Sequence, residues 1–221
     1  MPNPDHPYFQ LIDLCRQYQA TLVAVSKTRT IEEIQVLYDL GQRIFAENRT
    51  QELATKAPAM PGDIEWHLIG HLQTNKVRSI MPYVTCVQSL DSAGLWDKIQ
   101  KETVRHGKNI RCLLQVKVAK EETKYGWDLD ELDMFLSKGH HLAFPDIILT
   151  GVMGMASLTE DIEQVRDEMK QLKNCFDHLK ANYFKENNDF KTISMGMSGD
   201  YQIALQEGST MIRIGSLLFP K

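Results

Sequence analysis

Short apolar runs alternate with amphipathic stretches along almost the whole chain. Residues 8–19 carry Phe9, Leu11, Ile12 and Cys15 at helix-like spacing, which predicts an N-terminal helix. Residues 21–26 follow as an apolar strand. Thr30 then stands three residues ahead of Glu33, a capping-box spacing. Ile31, Ile34, Leu37, Tyr38 and Leu40 supply the apolar face of the helix it opens, and Gly41 stops that helix. The same beat recurs to the end of the chain. Further strands are predicted at 43–47, 65–70, 85–90, 110–118, 146–153, 191–195 and 211–215. Helices fall between them at 50–56, 75–81, 129–137, 160–184 and 200–207, with another running from a cap at Asp91 or Ser92 to His106.

Runs such as Ile147-Ile148-Leu149 and Cys112-Leu113-Leu114 are apolar on both faces. That is the mark of a parallel sheet covered by helices. Eight such units in 221 residues fit an α/β fold of one closed (β/α)8 TIM barrel, with 1–221 as a single domain. Too few residues follow the eighth strand for an outer helix, so the N-terminal helix is expected to cover that gap. The alternative, an open doubly wound sheet, calls for a Gly-x-Gly-x-x-Gly turn after its first strand, and the sequence has none.

Composition narrows the function. The chain is 43% hydrophobic and 24% charged, with a net charge of −4. Without a basic run, nucleic acid is not an expected partner. No apolar stretch reaches the roughly 18–20 residues of a membrane span. The segment from Met1 to Pro7 lacks the basic and apolar regions of a secretory signal, so a cytoplasmic location is expected. Cys15, Cys86, Cys112 and Cys175 are scattered, which suits reduced thiols.

The candidate chemistry centres on Lys27. Val23, Val25 and Lys27 share one strand parity, so an interior facing the valines would receive Lys27 at its rim. A partly desolvated lysine there is a candidate to form a Schiff base with an aldehyde. Barrel sites lie at the C-terminal ends of the strands. Asn48, His67, Ser198, Arg213, Gly215 and Ser216 all fall at or near those ends. Ser198 is read at a helix start, where free N–H groups favour an anion, and the loops after strands seven and eight commonly bind phosphate. Arg213 shares parity with Met211 and Gly215 and can point inward. Together these point to a phosphorylated aldehyde, pyridoxal 5′-phosphate (PLP). His67 is open between a cofactor neighbour and a hydrogen-bonded core histidine. No His-Glu-x-x-His is present, so no metal site is expected.

Several stretches resemble a known family. They are 23–28, Glu47-Asn48, Trp66-His67-Leu68-Ile69-Gly70-His71-Leu72-Gln73-Thr74-Asn75-Lys76, Lys124 with Gly126, Gly151-Val152-Met153, and 195–219. The chain resembles the YggS-type PLP homeostasis proteins, also called proline synthetase co-transcribed homologues. It departs from their pattern at Ala46, Arg49 and Lys117. The resemblance implies a barrel like the N-terminal domain of alanine racemase, the type III PLP fold. It implies Lys27 as the Schiff-base lysine, Ser198, Gly215 and Ser216 at the phosphate, and Arg213 facing the pyridine nitrogen. It further implies a protein that buffers or delivers PLP with little or no catalysis, PLP-dependent apoenzymes as recipients, and compatibility with a monomer. The competing expectation is a PLP-dependent amino-acid racemase, which needs an acid–base partner opposite Lys27. Tyr125 and Tyr201 are the nearest tyrosines by chain position.

Overall fold

The computed structural model describes residues 6–119, 125–142 and 145–219. Residues 1–5 of the segment read for a signal, Lys124 among the family-like positions, and residues 220–221 lie outside them. The strands are β1 Thr21–Val25, β2 Ile44–Glu47, β3 Glu65–Leu68, β4 Val84–Leu90, β5 Ile110–Gln115, β6 Ile147–Met153, β7 Thr192–Ser194 and β8 Met211–Ile214. The helices are α1 Pro7–Gln17, α2 Ile31–Asp39, α3 Thr50–Lys56, α4 Val77–Ile80, α5 Ala93–His106, α6 Leu129–Ser137, α7 Ile162–Asn182 and α8 Tyr201–Gln206.

All eight strands pair in parallel and in chain order, and β8 returns to β1 to close the barrel. The chain is therefore the (β/α)8 barrel that its alternating pattern predicts. Caps explain several boundaries. Thr30 and Glu33 form the reciprocal capping box at α2. Ser92, not Asp91, caps α5, and Gly107 ends it in the left-handed conformation. α1 packs on β1 through Tyr8, Leu11 and Cys15, which join the core with Leu22 and Ala24. All four cysteines are free and buried.

Strand alternation divides the apolar residues into two layers. Leu22, Ala24, Phe45, Trp66, Leu68, Val87, Ile212 and Ile214 belong to the large cluster between strands and helices. Val23, Val25 and Ala46 form one small interior cluster, and Cys86, Leu113 and Met153 form another. Met195, just past β7, also belongs to the outer cluster. The centre between the small clusters is polar: His67, Gln88, Ser194 and Arg213 are all buried there. At Gly151, φ is +151° and an added Cβ would lie 1.8 Å from the Thr192 carbonyl oxygen, so only glycine lets β6 and β7 pair this closely.

β5 stops at Gln115, three residues short of the predicted end. Val116 leaves the sheet to bridge Trp127, whose indole N–H donates to the Leu90 carbonyl at 2.9 Å. The region read as one helix over 75–81 divides into a 3₁₀ turn at Thr74–Lys76 and the single turn of α4. Among the described residues, no helix is long and apolar enough to cross a membrane.

Candidate functional site

A cavity of about 570 Å³ opens at the C-terminal ends of the strands. Its size falls in the range of small-molecule sites. Lys27, Asn48, Ser198, Arg213, Gly215 and Ser216 line it. Those residues come from the ends of β1, β2, β7 and β8, so closure of the barrel is what brings them together.

Lys27 is exposed, which differs from the desolvated lysine expected. The reason is local: β1 ends at Val25, and Lys27 stands two residues beyond it in a turn. Its amine reaches the cavity from the solvent side and makes no hydrogen bond with a described residue. Arg213 is the opposite case. It is buried, and it donates to Ser194 Oγ at 2.7 Å and to the Gly154 carbonyl at 3.0 Å. Burial draws its pKa down to about 10, which still leaves a full charge at neutral pH. Both hydrogen-bond partners are neutral, and the Asp200 carboxylate, near enough to oppose the fall in pKa, is not bonded to it, so the guanidinium presents positive charge to the cavity it lines.

Ser198 does not start a helix. Asp200 occupies the N-cap position of α8 and accepts from the Met197 N–H at 2.5 Å. Ser198 lies two residues earlier, in a turn, and its hydroxyl oxygen accepts from the Gly215 N–H at 3.4 Å. That bond joins the loop after β7 to the loop after β8, and it leaves the hydroxyl proton free to donate. At the far wall, a Cβ on Gly70 would lie 2.2 Å from the Asn48 carbonyl oxygen. The loops after β2 and β3 touch there because position 70 has no side chain.

His67 does not line the cavity. It is buried in the barrel centre, where its Nδ1 lies 2.8 Å from Gln88 Nε2. Gln88 Oε1 accepts from Ser194 Oγ at 2.7 Å, and Ser194 Oγ accepts from Arg213. Burial keeps the imidazole neutral, and with the Gln88 amide nitrogen turned toward Nδ1 its proton sits on Nε2. Nε2 has no hydrogen-bond partner. His67 therefore takes the core position and reaches the site only through Gln88 and Ser194.

Tyr125, a tyrosine weighed above, lines the cavity, and so do two polar residues outside the sequence candidates, Gln115 and His71. Gln115 is buried, donates to the Tyr125 carbonyl at 2.8 Å, and keeps an unpartnered Oε1. His71 pairs with Asp91 at 2.7 Å, and its ring stacks on Tyr125 with centroids 3.7 Å apart. Tyr201 does not line the cavity. Arg49 and Lys117 do not line it either; Lys117 pairs with Asp128 at 3.1 Å. Among the described residues, no three His, Cys, Asp or Glu side chains converge as a metal site.

Comparison with known proteins now places the chain. It matches the alanine racemase N-terminal domain family over residues 6–220. It is 38% identical over 201 residues to the pyridoxal phosphate homeostasis protein of Aquifex aeolicus, covering 90% of this chain and 86% of that protein. The chain belongs to the pyridoxal phosphate homeostasis protein family. The human member of that family is 34% identical over 213 residues, covering 91% of this chain and 76% of its own. PipY of Synechococcus elongatus, solved with PLP bound, superposes with a TM-score of 0.85 and 30% identity over 97% of this chain and 100% of PipY. Outside the homeostasis proteins, alanine racemase of Clostridium difficile shares the barrel alone, at a TM-score of 0.75 and 14% identity over 61% of its length.

Proposed function

We propose that this protein binds PLP at the barrel mouth and holds or delivers it as a cytoplasmic cofactor reservoir for PLP-dependent apoenzymes, with little or no catalysis of its own. The single observation that carries the reading is the pairing of Lys27 and Arg213 across one cavity. An exposed amine and a buried guanidinium with only neutral hydrogen-bond partners face the same space, between loops tied together by Ser198 and Gly215. That donor set fits PLP: an amine for the aldehyde, a turn hydroxyl and backbone for the phosphate, a cationic donor for the ring. The relatives' name and PipY's bound PLP support the same assignment.

When bound, the cofactor supplies an aldehyde that an amine captures reversibly and a ring that withdraws electrons well only when its nitrogen is protonated. In this reading Lys27 supplies the amine. Ser198, Gly215 and Ser216 hold the phosphate, and Asn48 bounds the site opposite them. Arg213, a permanent donor, keeps a proton off the ring nitrogen. Tyr125 is the tyrosine at the cavity, but its ring is exposed and stacked on His71, which favours a role as a wall over one as a racemase acid.

The test is to add PLP to purified protein, reduce with borohydride and map the label by mass spectrometry, alongside turnover assays on D- and L-amino acids. Label on Lys27 without turnover is expected. Label spread over surface lysines would overturn the site, and robust turnover would overturn the reservoir. Ser198→Ala removes one hydrogen bond to a charged acceptor, worth roughly 1.5–3 kcal/mol. PLP retention, followed by dialysis and absorbance, should then weaken at least about tenfold. Unchanged retention would remove Ser198 from the phosphate site.

A further inference from the structure

Lys27 sits in a tight turn with an unusual backbone. The Ser26 carbonyl accepts from the Arg29 N–H at 3.0 Å, and Thr28 has φ = +64°. A turn with positive φ at its third residue is glycine's place. A threonine there is strained, since its branched Cβ crowds the backbone, and such strain persists only where the surroundings over-determine it.

The surroundings do so through one buried ammonium. Lys56 Nζ, on α3, donates to the Ser26 carbonyl at 2.9 Å, to Glu47 Oε1 at 2.8 Å and to Glu52 Oε2 at 2.8 Å. All three of its N–H donors are therefore used. Glu52 Oε2 also accepts from the Thr28 N–H at 2.8 Å, and Glu47 Oε1 from the Ser26 hydroxyl at 2.7 Å. The carbonyl before Lys27 and the amide after it are thus tied to the same ammonium, one directly and one through Glu52. Side-chain exposure is 9% for Lys56 and 0% for Glu47. None of these charged side chains lines the cavity. Stability alone does not call for charges between β2 and α3, because apolar residues of similar volume commonly serve as well in a buried ion pair's place.

We infer that Lys56, with Glu47 and Glu52, is a positioning element that fixes the backbone of Lys27 and aims its amine into the cavity. The inference deepens the PLP reading and rests on Lys27 being the cofactor lysine. It gives α3 a function: the helix carries two of the three side chains that clamp the β1 turn.

Three variants test it. Glu47→Gln with Lys56→Met removes both buried charges together, so neither is left alone. Glu52→Gln, at a site nearer solvent, keeps an oxygen for Thr28 but weakens the link to Lys56. Thermal unfolding establishes that each is folded. Amide hydrogen exchange at Thr28 and Arg29 in cofactor-free protein reports the turn, and borohydride labelling reports the aim of Lys27. In the double variant, exchange should quicken and PLP retention should fall about tenfold or more, as misplacement of a reacting group costs. Lys56→Arg, which keeps a buried donor, should restore most of the retention. A folded variant with parental retention overturns the inference and leaves the cluster purely structural. If the parent protein itself carries no label on Lys27, the PLP reading has failed; exchange at Thr28 then decides the clamp alone, and unchanged exchange overturns it. Should the double variant not fold, Glu52→Gln decides by the same two readouts.

Discussion

Lys27→Ala should eliminate borohydride-fixed cofactor while leaving the protein as stable as its parent, within about 0.5 kcal/mol. The two halves of that result follow from one fact: Lys27 is exposed and makes no hydrogen bond with a described residue. Its side chain contributes no core area and satisfies no buried group, so truncation leaves neither a cavity nor an orphaned charge. The turn around it is held by Ser26, Thr28 and Lys56, whose bonds do not involve the Lys27 side chain. Arg213 and the β7 and β8 loops remain, so a weaker, dialysable association should persist. Urea unfolding and mass mapping of reduced samples check both halves. A fixed label that survives on another lysine near the cavity would remove Lys27 from the role, and a large drop in stability would show that the side chain is structural.

The barrel was legible because its strands are apolar on both faces and its helices carry explicit caps, signals that survive without tertiary knowledge. Strand parity also brought Lys27 and Arg213 to one rim. The same parity argument applies to β5, where Leu113 faces the interior, and would have put Gln115 at the rim as well. It was obscured because Val116 and Val118 extend the apolar pattern past the true strand end, where Val116 turns aside to Trp127. His71 and Tyr125 meet by stacking across loops, and no sequence period encodes that contact. Ser198 was misplaced because Ser and Asp are both good N-caps; the chain turns through Ser198 and Gly199 first, a turn that Asp200 fastens by accepting from the Met197 N–H, and α8 begins only at Tyr201. The clamp on Lys27 was invisible for a different reason. Lys56 and Glu52 look like an ordinary exposed i,i+4 pair on a helix; only the barrel buries Lys56 against Glu47.

His67 should make the protein acid-labile from above the carboxylate range. Burial, assisted by the nearby positive charge of Arg111, pushes its pKa down to about 3 from 6.5. Below pH 6.5 an unfolded chain protonates this imidazole, whereas the folded barrel refuses the proton until about pH 3. The unfolded state therefore binds more protons throughout that interval, and stability falls as pH falls. Between pH 6.5 and 5 the loss from this group alone should be about 2 kcal/mol, and it continues to grow toward pH 3. Lowered carboxylates such as Glu33, Glu52 and Asp63 add their losses at lower pH, because their unfolded values lie near 4. His141, also lowered by burial, acts in the same direction, so the comparison must be between protein and variant. Urea unfolding at pH 7.5 and pH 5 should show a smaller acid penalty for His67→Gln than for the parent. An equal penalty would mean that the barrel accommodates a charged His67. That outcome would also disturb the site's polarity: a protonated ring donates at Nδ1, so Gln88 would have to turn its oxygen toward His67 and its amide nitrogen toward Ser194. Ser194 would then receive donors from both Gln88 and Arg213. The hydroxyl has lone pairs for both, but its own proton would lose Gln88 as acceptor; keeping His67 neutral is thus what lets one buried chain of bonds run in a single direction, from the guanidinium through Ser194 and Gln88 to the imidazole.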